Sequence, residues 1–261
     1  MSSALAWFCG RLVDERAVPL PASSSALTHA VSVYETLRVV GGRAPLVARH
    51  SARLARACAE LGLEGATHDW DSIVRELCVA RAQRDGRARI TIGDGFVLVS
   101  LGALPADLER EREQGIALPT ARVAHALPHF KHGSRLALWL AEREAGGEVA
   151  LRGPADELLE TTRASLLLVE RGELWTAPVT QALPGIGREL ALEAARELGL
   201  DVVERAPTLA QLAPHTELFT TNAVRGVRPV VRLDARELPA VATMSFTRRI
   251  QRALDVRMAL A

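Results

Sequence analysis

The chain has 261 residues, 48% of them hydrophobic, and its 32 basic against 31 acidic side chains leave a formal net charge of +1. That length carries an ample core in one large domain or two modest ones. Interleaved charges of both signs leave no basic face for nucleic acid and no polybasic patch for a membrane surface. Cys9, Cys58 and Cys78 are odd in number and widely spaced, which fits buried thiols of a reducing compartment better than a disulfide framework or a zinc site. No run approaches ~18 apolar residues and the N-terminal segment has no basic stretch, so the expectation is a cytoplasmic small-molecule enzyme.

In chain order, Trp7–Val13 reads as a strand and Pro19–Ser25 as a loop. Val31–Val40 alternates, is rich in β-branched residues and ends at Gly41-Gly42, which predicts a second strand. Val47, Leu54, Cys58 and Leu61 recur at helical spacing up to Gly62, and Asp69 is placed to cap a helix burying Trp70, Ile73, Val74 and Leu77. Arg87–Ile92 and Phe96–Leu101 flank Gly93-Asp94-Gly95 as a hairpin. The charged run Asp107–Gln114 reads as a solvated connector, and a boundary near Gln114 divides the chain into residues 1–114 and 115–261.

The second half begins with a strand over Ile116–Ala126. Ser134 is read as the cap of a helix that buries Leu136, Trp139 and Leu140, closed by Gly146-Gly147. A hairpin turns about Arg171-Gly172, and a helix over Arg188–Leu198 follows Leu183-Pro184-Gly185-Ile186-Gly187. Strands over Asp201–Arg205 and Glu217–Thr221 and a helix over Thr243–Met258 complete the reading. Strands and helices mix without strict βαβ alternation, and no GxGxxG or Walker loop is present, so the fold class is α+β (mixed α/β).

Lys131 is the only lysine; every other member of the 32 basic side chains is arginine. Arginine neither gives up its proton near neutral pH nor attacks a carbonyl, so a lone lysine in such a background marks a nucleophile, and the aldehyde of pyridoxal phosphate is its most general electrophile. A protonated pyridine nitrogen then needs a carboxylate, for which Glu160, at the mouth of an apolar strand, is the candidate. The Pro-Gly turn ahead of Arg188 offers backbone N–H groups and a helix dipole for a phosphate. His125, His129 and His132 are set aside as a metal cluster because Pro128 breaks the helix that would align them.

In this order the segments Val33-Tyr34-Glu35-Thr36-Leu37-Arg38, His50-Ser51-Ala52-Arg53-Leu54, Lys131, Glu160, Gly185-Ile186-Gly187-Arg188 and Thr221-Asn222-Ala223 through Arg228-Pro229-Val230 resemble the class IV pyridoxal-phosphate enzymes. These are the branched-chain and D-amino-acid aminotransferases and aminodeoxychorismate lyase. The resemblance implies a two-domain fold type IV enzyme with pyridoxal 5′-phosphate in the interdomain cleft, working as a homodimer. By position it makes Lys131 the lysine that carries the cofactor and moves the proton, Glu160 the partner of the pyridine nitrogen, and Tyr34 the aromatic beside the cofactor. It assigns the phosphate to Arg53, Ile186, Gly187, Asn222 and Ala223.

The chain also departs from that pattern. The family often has threonine or serine where Gly187 stands and asparagine where Ser165 stands. Gly93-Asp94-Gly95 replaces a turn that often holds a carboxylate-binding arginine, which leaves Arg38, Arg87 and Arg89 as the candidates for substrate. The wording around Tyr34 and Asn222 is most similar to aminodeoxychorismate lyase, with an amino-acid aminotransferase as the alternative and a non-catalytic cofactor-binding homologue after that.

Overall fold

The computed structural model describes residues 4–123 and 126–259. The chain divides into two compact units: one of Met1–Pro105 with Phe130–Ser134, the other of Ala106–His129 with Arg135–Ala261. The first therefore passes to the second ahead of Gln114, and the segment around Lys131 belongs with the N-terminal residues.

In the first unit β1 (Leu5–Phe8) and β2 (Arg11–Asp14) form a hairpin. The single strand expected over Trp7–Val13 is broken at Cys9-Gly10, both at positive φ (45° and 93°). A short helix α1 (Ser25–Thr28) leads to β3 (Ser32–Val39). Helix α2 (Val47–Leu61) stops at Gly62 in the left-handed conformation, and α3 (Trp70–Ala80) starts under a hydrogen bond from Ser72 N to Asp69 Oδ1. Strands β4 (Gly86–Gly93) and β5 (Phe96–Gly102) meet through the two-residue turn Asp94-Gly95.

These strands make an antiparallel sheet in the order β2-β1-β5-β4-β3. Alternation gives it two different faces. Val33, Leu37, Val39, Ala88, Ile90, Ile92, Val99 and Leu101 form a core with Leu54, Cys58, Ile73, Val74 and Leu77 of the two helices. The register pairs Tyr34 with Thr91, Thr36 with Arg89 and Arg38 with Arg87, so these six side chains share the other face. That polar face cannot be core, which is why the sheet is covered by helices on one side only.

Phe130–Ser134 runs along the outer edge of β3: Tyr34 N donates to Lys131 O at 2.9 Å, and Gly133 N to Ser32 O at 2.8 Å. A Cβ at position 133 would lie 2.3 Å from Ser32 Oγ, so glycine lets the two segments approach without moving that side chain. The close approach fixes the backbone of the lysine to that of the tyrosine strand.

The second unit contains, in order, α4 (Leu108–Gln114), β6 (Ile116–Leu118), β7 (Thr120–Ala121), α5 (Leu136–Ala145), β8 (Ala150–Arg152), β9 (Leu158–Thr161), β10 (Ser165–Glu170) and β11 (Glu173–Thr176). These are followed by α6 (Ile186–Glu197), β12 (Asp201–Val203), β13 (Glu217–Asn222), β14 (Gly226–Leu233), β15 (Arg236–Glu237) and α7 (Ser245–Arg257). Among the described residues they form a ten-stranded sheet along β15-β14-β13-β10-β9-β8-β7, with β11, β12 and β6 added at the sides. β10 is buried on both faces from Ser165 to Val169, the reason for its unbroken apolar run. Leu166 and Leu168 pack with Leu158, Leu218 and Val230 on one side, while α6, buried along Leu190, Ala191, Ala194 and Ala195, packs against β10 and β13.

Three readings of the sequence are corrected here. Asp107–Gln114 is a helix, not a solvated connector, because it buries Leu108 and Arg112; Arg112 grips both oxygens of Asp255 at 2.6 and 2.7 Å. The strand expected over Ile116–Ala126, of which residues 124 and 125 lie outside the described residues, is elsewhere two short ones, β6 and β7. Helix α5 begins after Arg135 without a side-chain cap and buries Leu138 and Ala141, while Leu136, Trp139 and Leu140 face outward. None of the described helices is long and apolar enough to cross a membrane.

Candidate active site

In the first unit the edge of the sheet assembles several of the expected residues. Tyr34, buried on β3, has the Lys131 ammonium 4.7 Å from its ring centroid and the Arg89 guanidinium at 3.6 Å. Arg89 reaches it diagonally from β4, the position that long side chains use across an antiparallel pair. Arg38 and Arg87 lie further along the same face. Four cations and the protein's single tyrosine therefore line one side of this sheet.

Arg53 lies on the helix-covered side. Its Nε and Nη2 donate to Glu35 Oε1 and Oε2 at 2.7 and 2.6 Å, and His50 Nδ1 is 2.7 Å from Glu35 Oε2. Alternation along β3 forces this arrangement, since Glu35 must point away from the face that Tyr34 and Thr36 occupy. Burial pushes the Glu35 carboxyl up, but the Arg53 charge and hydrogen bonds, joined by those of His50, prevail and hold it at about 2. Burial likewise pushes the His50 imidazole below its ordinary value against the opposing pull of Glu35, and the Arg53 and Lys131 charges add to that lowering. Neither Glu35 nor His50 was picked out in the sequence for this role, because an ion pair between a strand and a later helix leaves no local signature.

In the second unit the register brings Glu160 opposite Ser165 and Ser165 opposite Thr221, so the three share one sheet face across β9, β10 and β13. The start of α6 closes over that face. Glu160 is buried and accepts a hydrogen bond from Leu183 N at 3.3 Å, which ties its carboxylate to the turn ahead of α6. Gly185 caps the helix in extended conformation without a side-chain bond, and the N–H groups of Ile186, Gly187 and Arg188 lie in the first turn, where a helix supplies no acceptor. The Arg188 side chain is turned away, onto Glu204 at 2.7 Å and Ala177 O at 3.2 Å. Asn222 folds its own loop: its Oδ1 accepts from Val224 N and Arg225 N at 3.0 and 2.7 Å, and its Nδ2 donates to Arg163 O at 3.2 Å. Ala223 is buried in the same loop.

Behind this face runs a buried network that the sequence reading did not anticipate. Arg228 Nη2 donates to both oxygens of Glu148 at 2.8 and 2.7 Å, and its Nη1 reaches Glu111 at 3.0 Å. Glu148 also accepts from Thr161 Oγ1 at 2.5 Å, and Thr161 holds the turn between Glu160 and Ser165 through Ala164 N at 2.8 Å. Arg225, after the Asn222 loop, bonds Asp107 and Glu111. Such a network is costly to break, because removing one partner leaves an uncompensated buried charge. Of the histidines weighed as a metal cluster, His125 lies outside the described residues.

A lysine beside an aromatic in one unit, and a buried carboxylate beside an uncapped helix N-terminus in the other, are the groups that the resemblance to the fold type IV pyridoxal-phosphate enzymes leads one to expect. The model of the family described as amino-transferase class IV matches residues 32–233, and the chain belongs to that family. It is 25% identical over 271 residues to the D-alanine aminotransferase of Bacillus licheniformis, covering 95% of each chain. It is 27% identical over 281 residues to the branched-chain-amino-acid aminotransferase of Escherichia coli, covering 95% of this chain and 90% of that one. Among solved structures it superposes on 4-amino-4-deoxychorismate lyase from Pseudomonas aeruginosa with a TM-score of 0.80 and 28% identity, covering 97% and 98% of the two chains.

The family resemblance read from the sequence is thus the family found, and the cofactor is pyridoxal 5′-phosphate. The residues of the second unit suit its phosphate. A Cβ at Gly187 would lie 2.9 Å from Asn222 Cα and 3.0 Å from Asn222 N, so the missing side chain is what lets the helix start and the Asn222 loop lie against each other, beside first-turn N–H groups of α6 that have no acceptor within the helix.

Proposed function

We propose that the protein is a 4-amino-4-deoxychorismate lyase, releasing pyruvate from its substrate to leave 4-aminobenzoate, and that it works as a cytoplasmic homodimer. The observation that carries this reading is the cationic face of the first unit. Arg38, Arg87 and Arg89 share it with Tyr34 and Lys131, and the uncharged side chains paired with them are Thr36 and Thr91. That surface suits a substrate with more than one carboxylate and offers little to a branched aliphatic side chain. Asp94, the acidic residue of the β4–β5 turn, is engaged by Ser25 Oγ at 3.4 Å.

Pyridoxal phosphate, when bound, supplies the electron sink that allows an α-proton to leave. Lys131 would carry the cofactor and then hold and return that proton, with Tyr34 fixing its approach. Glu160 would keep the pyridine nitrogen protonated. Ile186, Gly187, Asn222 and Ala223 would bind the phosphate, together with Arg53, whose fork on Glu35 fixes its orientation. The homodimer is supported by α5, where Leu136, Trp139 and Leu140 form an exposed apolar stripe of the kind a second copy covers.

The alternative, an amino-acid aminotransferase, is favoured by the names of the D-alanine and branched-chain relatives. Both reactions begin with the same proton removal, and the acceptor requirement separates them. Supplied with aminodeoxychorismate alone, the purified protein should release pyruvate, and Lys131→Ala should release none. Release that requires a keto-acid acceptor, or amino transfer from an amino acid to a keto acid with no pyruvate released from aminodeoxychorismate, assigns the aminotransferase instead.

A further inference from the structure

We propose that Thr221 donates its hydroxyl to the cofactor phosphate, replacing a hydroxyl that Gly187 cannot supply. The proposal rests on the reading of the α6 N-terminus as a phosphate cradle. Thr221 Oγ1 is buried, and it has no hydrogen-bond partner among the described residues. The residue as a whole is 1% exposed. A buried hydroxyl without an acceptor is disfavoured unless something else satisfies it. This one points at the helix start, since a Cβ built on Gly187 would lie only 2.8 Å from Thr221 Oγ1.

A Cβ at position 187 would meet the Asn222 backbone at 2.9 and 3.0 Å as well as Thr221 Oγ1 at 2.8 Å, so the side-chain hydroxyl at this helix start comes from β13 and not from the helix. The register holds Thr221 there, paired with Ser165 on one side and Val227 on the other. With Arg188 turned onto Glu204, the donors of this unit are neutral ones: amides at the helix start and one hydroxyl. Hydrogen bonds to a charged acceptor are the stronger kind, so the hydroxyl's contribution should be measurable on its own.

The test uses the full-length apoprotein, titrated with pyridoxal phosphate and separately with pyridoxal, which lacks the phosphate. Binding is followed by visible absorbance. Thr221→Val should weaken pyridoxal phosphate by roughly tenfold and leave pyridoxal within about twofold of the parent. Thr221→Ser, which keeps the hydroxyl, should stay within about threefold of the parent. Parental affinity in Thr221→Val, or a Thr221→Ser variant as weak as Thr221→Val, overturns the proposal. If the parent binds pyridoxal as tightly as pyridoxal phosphate, the cradle reading itself fails. If that preference holds but Thr221→Val binds as tightly as the parent, only the role of Thr221 is lost.

Discussion

Replacing Glu35 with glutamine tests the reading of the first unit most directly, because the carboxylate is buried against two bases and its charge is what they share. Held at about 2 against an ordinary 4.5, the group favours its ionised form by ~2.5 units, equivalent to ~3 kcal/mol of stability at neutral pH. Truncation data for buried pairs agree, since leaving a partner uncompensated costs about 3–5 kcal/mol. Glutamine keeps one carbonyl for Arg53, so the lower end of that range applies. Glu35→Gln should therefore unfold with ~3 kcal/mol less stability near neutral pH, measured by urea denaturation. Circular dichroism and tryptophan fluorescence, to which the buried Trp7 and Trp70 contribute, would report it.

The pH dependence gives the sharper signature. A carboxylate with a lowered pKa stabilises the fold above its unfolded value and loses that contribution as pH falls from 4.5 towards 2. The gap between parent and variant should close over that window. His50, also lowered, is stabilising in its neutral form, and its contribution fades as pH drops below 6.5. That loss begins above the Glu35 window and is present in both proteins. A gap under ~1 kcal/mol at neutral pH, or one that persists unchanged into acid, would refute the account of Glu35 as the shared anion.

Further expectations follow from the same geometry. Gly133→Ala pushes a Cβ to 2.3 Å from Ser32 Oγ, so it should displace the Lys131 segment and cut turnover by about tenfold, and Ser32→Gly in the same chain should restore most of it. Arg87→Ala removes one cation from the proposed carboxylate face and should raise KM by roughly tenfold, the scale of ~2 kcal/mol for a charged hydrogen bond; an unchanged KM would remove Arg87 from the site. Trp139→Glu places a charge in the exposed stripe of α5 and should give a monomer by light scattering if that stripe is the homodimer contact. A dimer of parental stability would place the interface elsewhere.

What the sequence disclosed was local or compositional. Gly62 in the left-handed conformation, Asp69 on Ser72 N and the Asp94-Gly95 turn each satisfy backbone demands within a few residues, so their signals survive translation from chain to fold. Lys131 and Tyr34 stood out by being single of their kind, and they lie beside each other. The apolar stripe of α5 misled because spacing identifies a face without saying what covers it. Leu136, Trp139 and Leu140 are amphipathic in the right period and yet face away from their own unit's core. In the sequence Thr221 reads only as the start of the Asn222 motif, because the significance of its hydroxyl depends on lying against Gly187, which chain order does not show.

The arginine bias hid most of the rest, and its physical meaning emerges only in three dimensions. Arg112 on Asp255 and Arg228 on Glu148 each hold both oxygens of one carboxylate with Nη2, while Arg53 on Glu35 and Arg163 on Glu142 each grip one through two nitrogens, Nε and Nη2. A lysine ammonium cannot reproduce that planar fork, and a guanidinium holds its charge when buried, so arginine serves well wherever the task is to brace the fold. Sequence alone cannot sort these bracing arginines from Arg87 or Arg89 on the open sheet face, because all carry the same letter and none shows its partner. On the proposed function, the one position where a fixed charge would defeat the chemistry is the one that must release a proton and take it back. Lysine stands there, and on that reading its isolation in the sequence is the visible trace of a constraint that the remaining basic residues, all arginine, do not share.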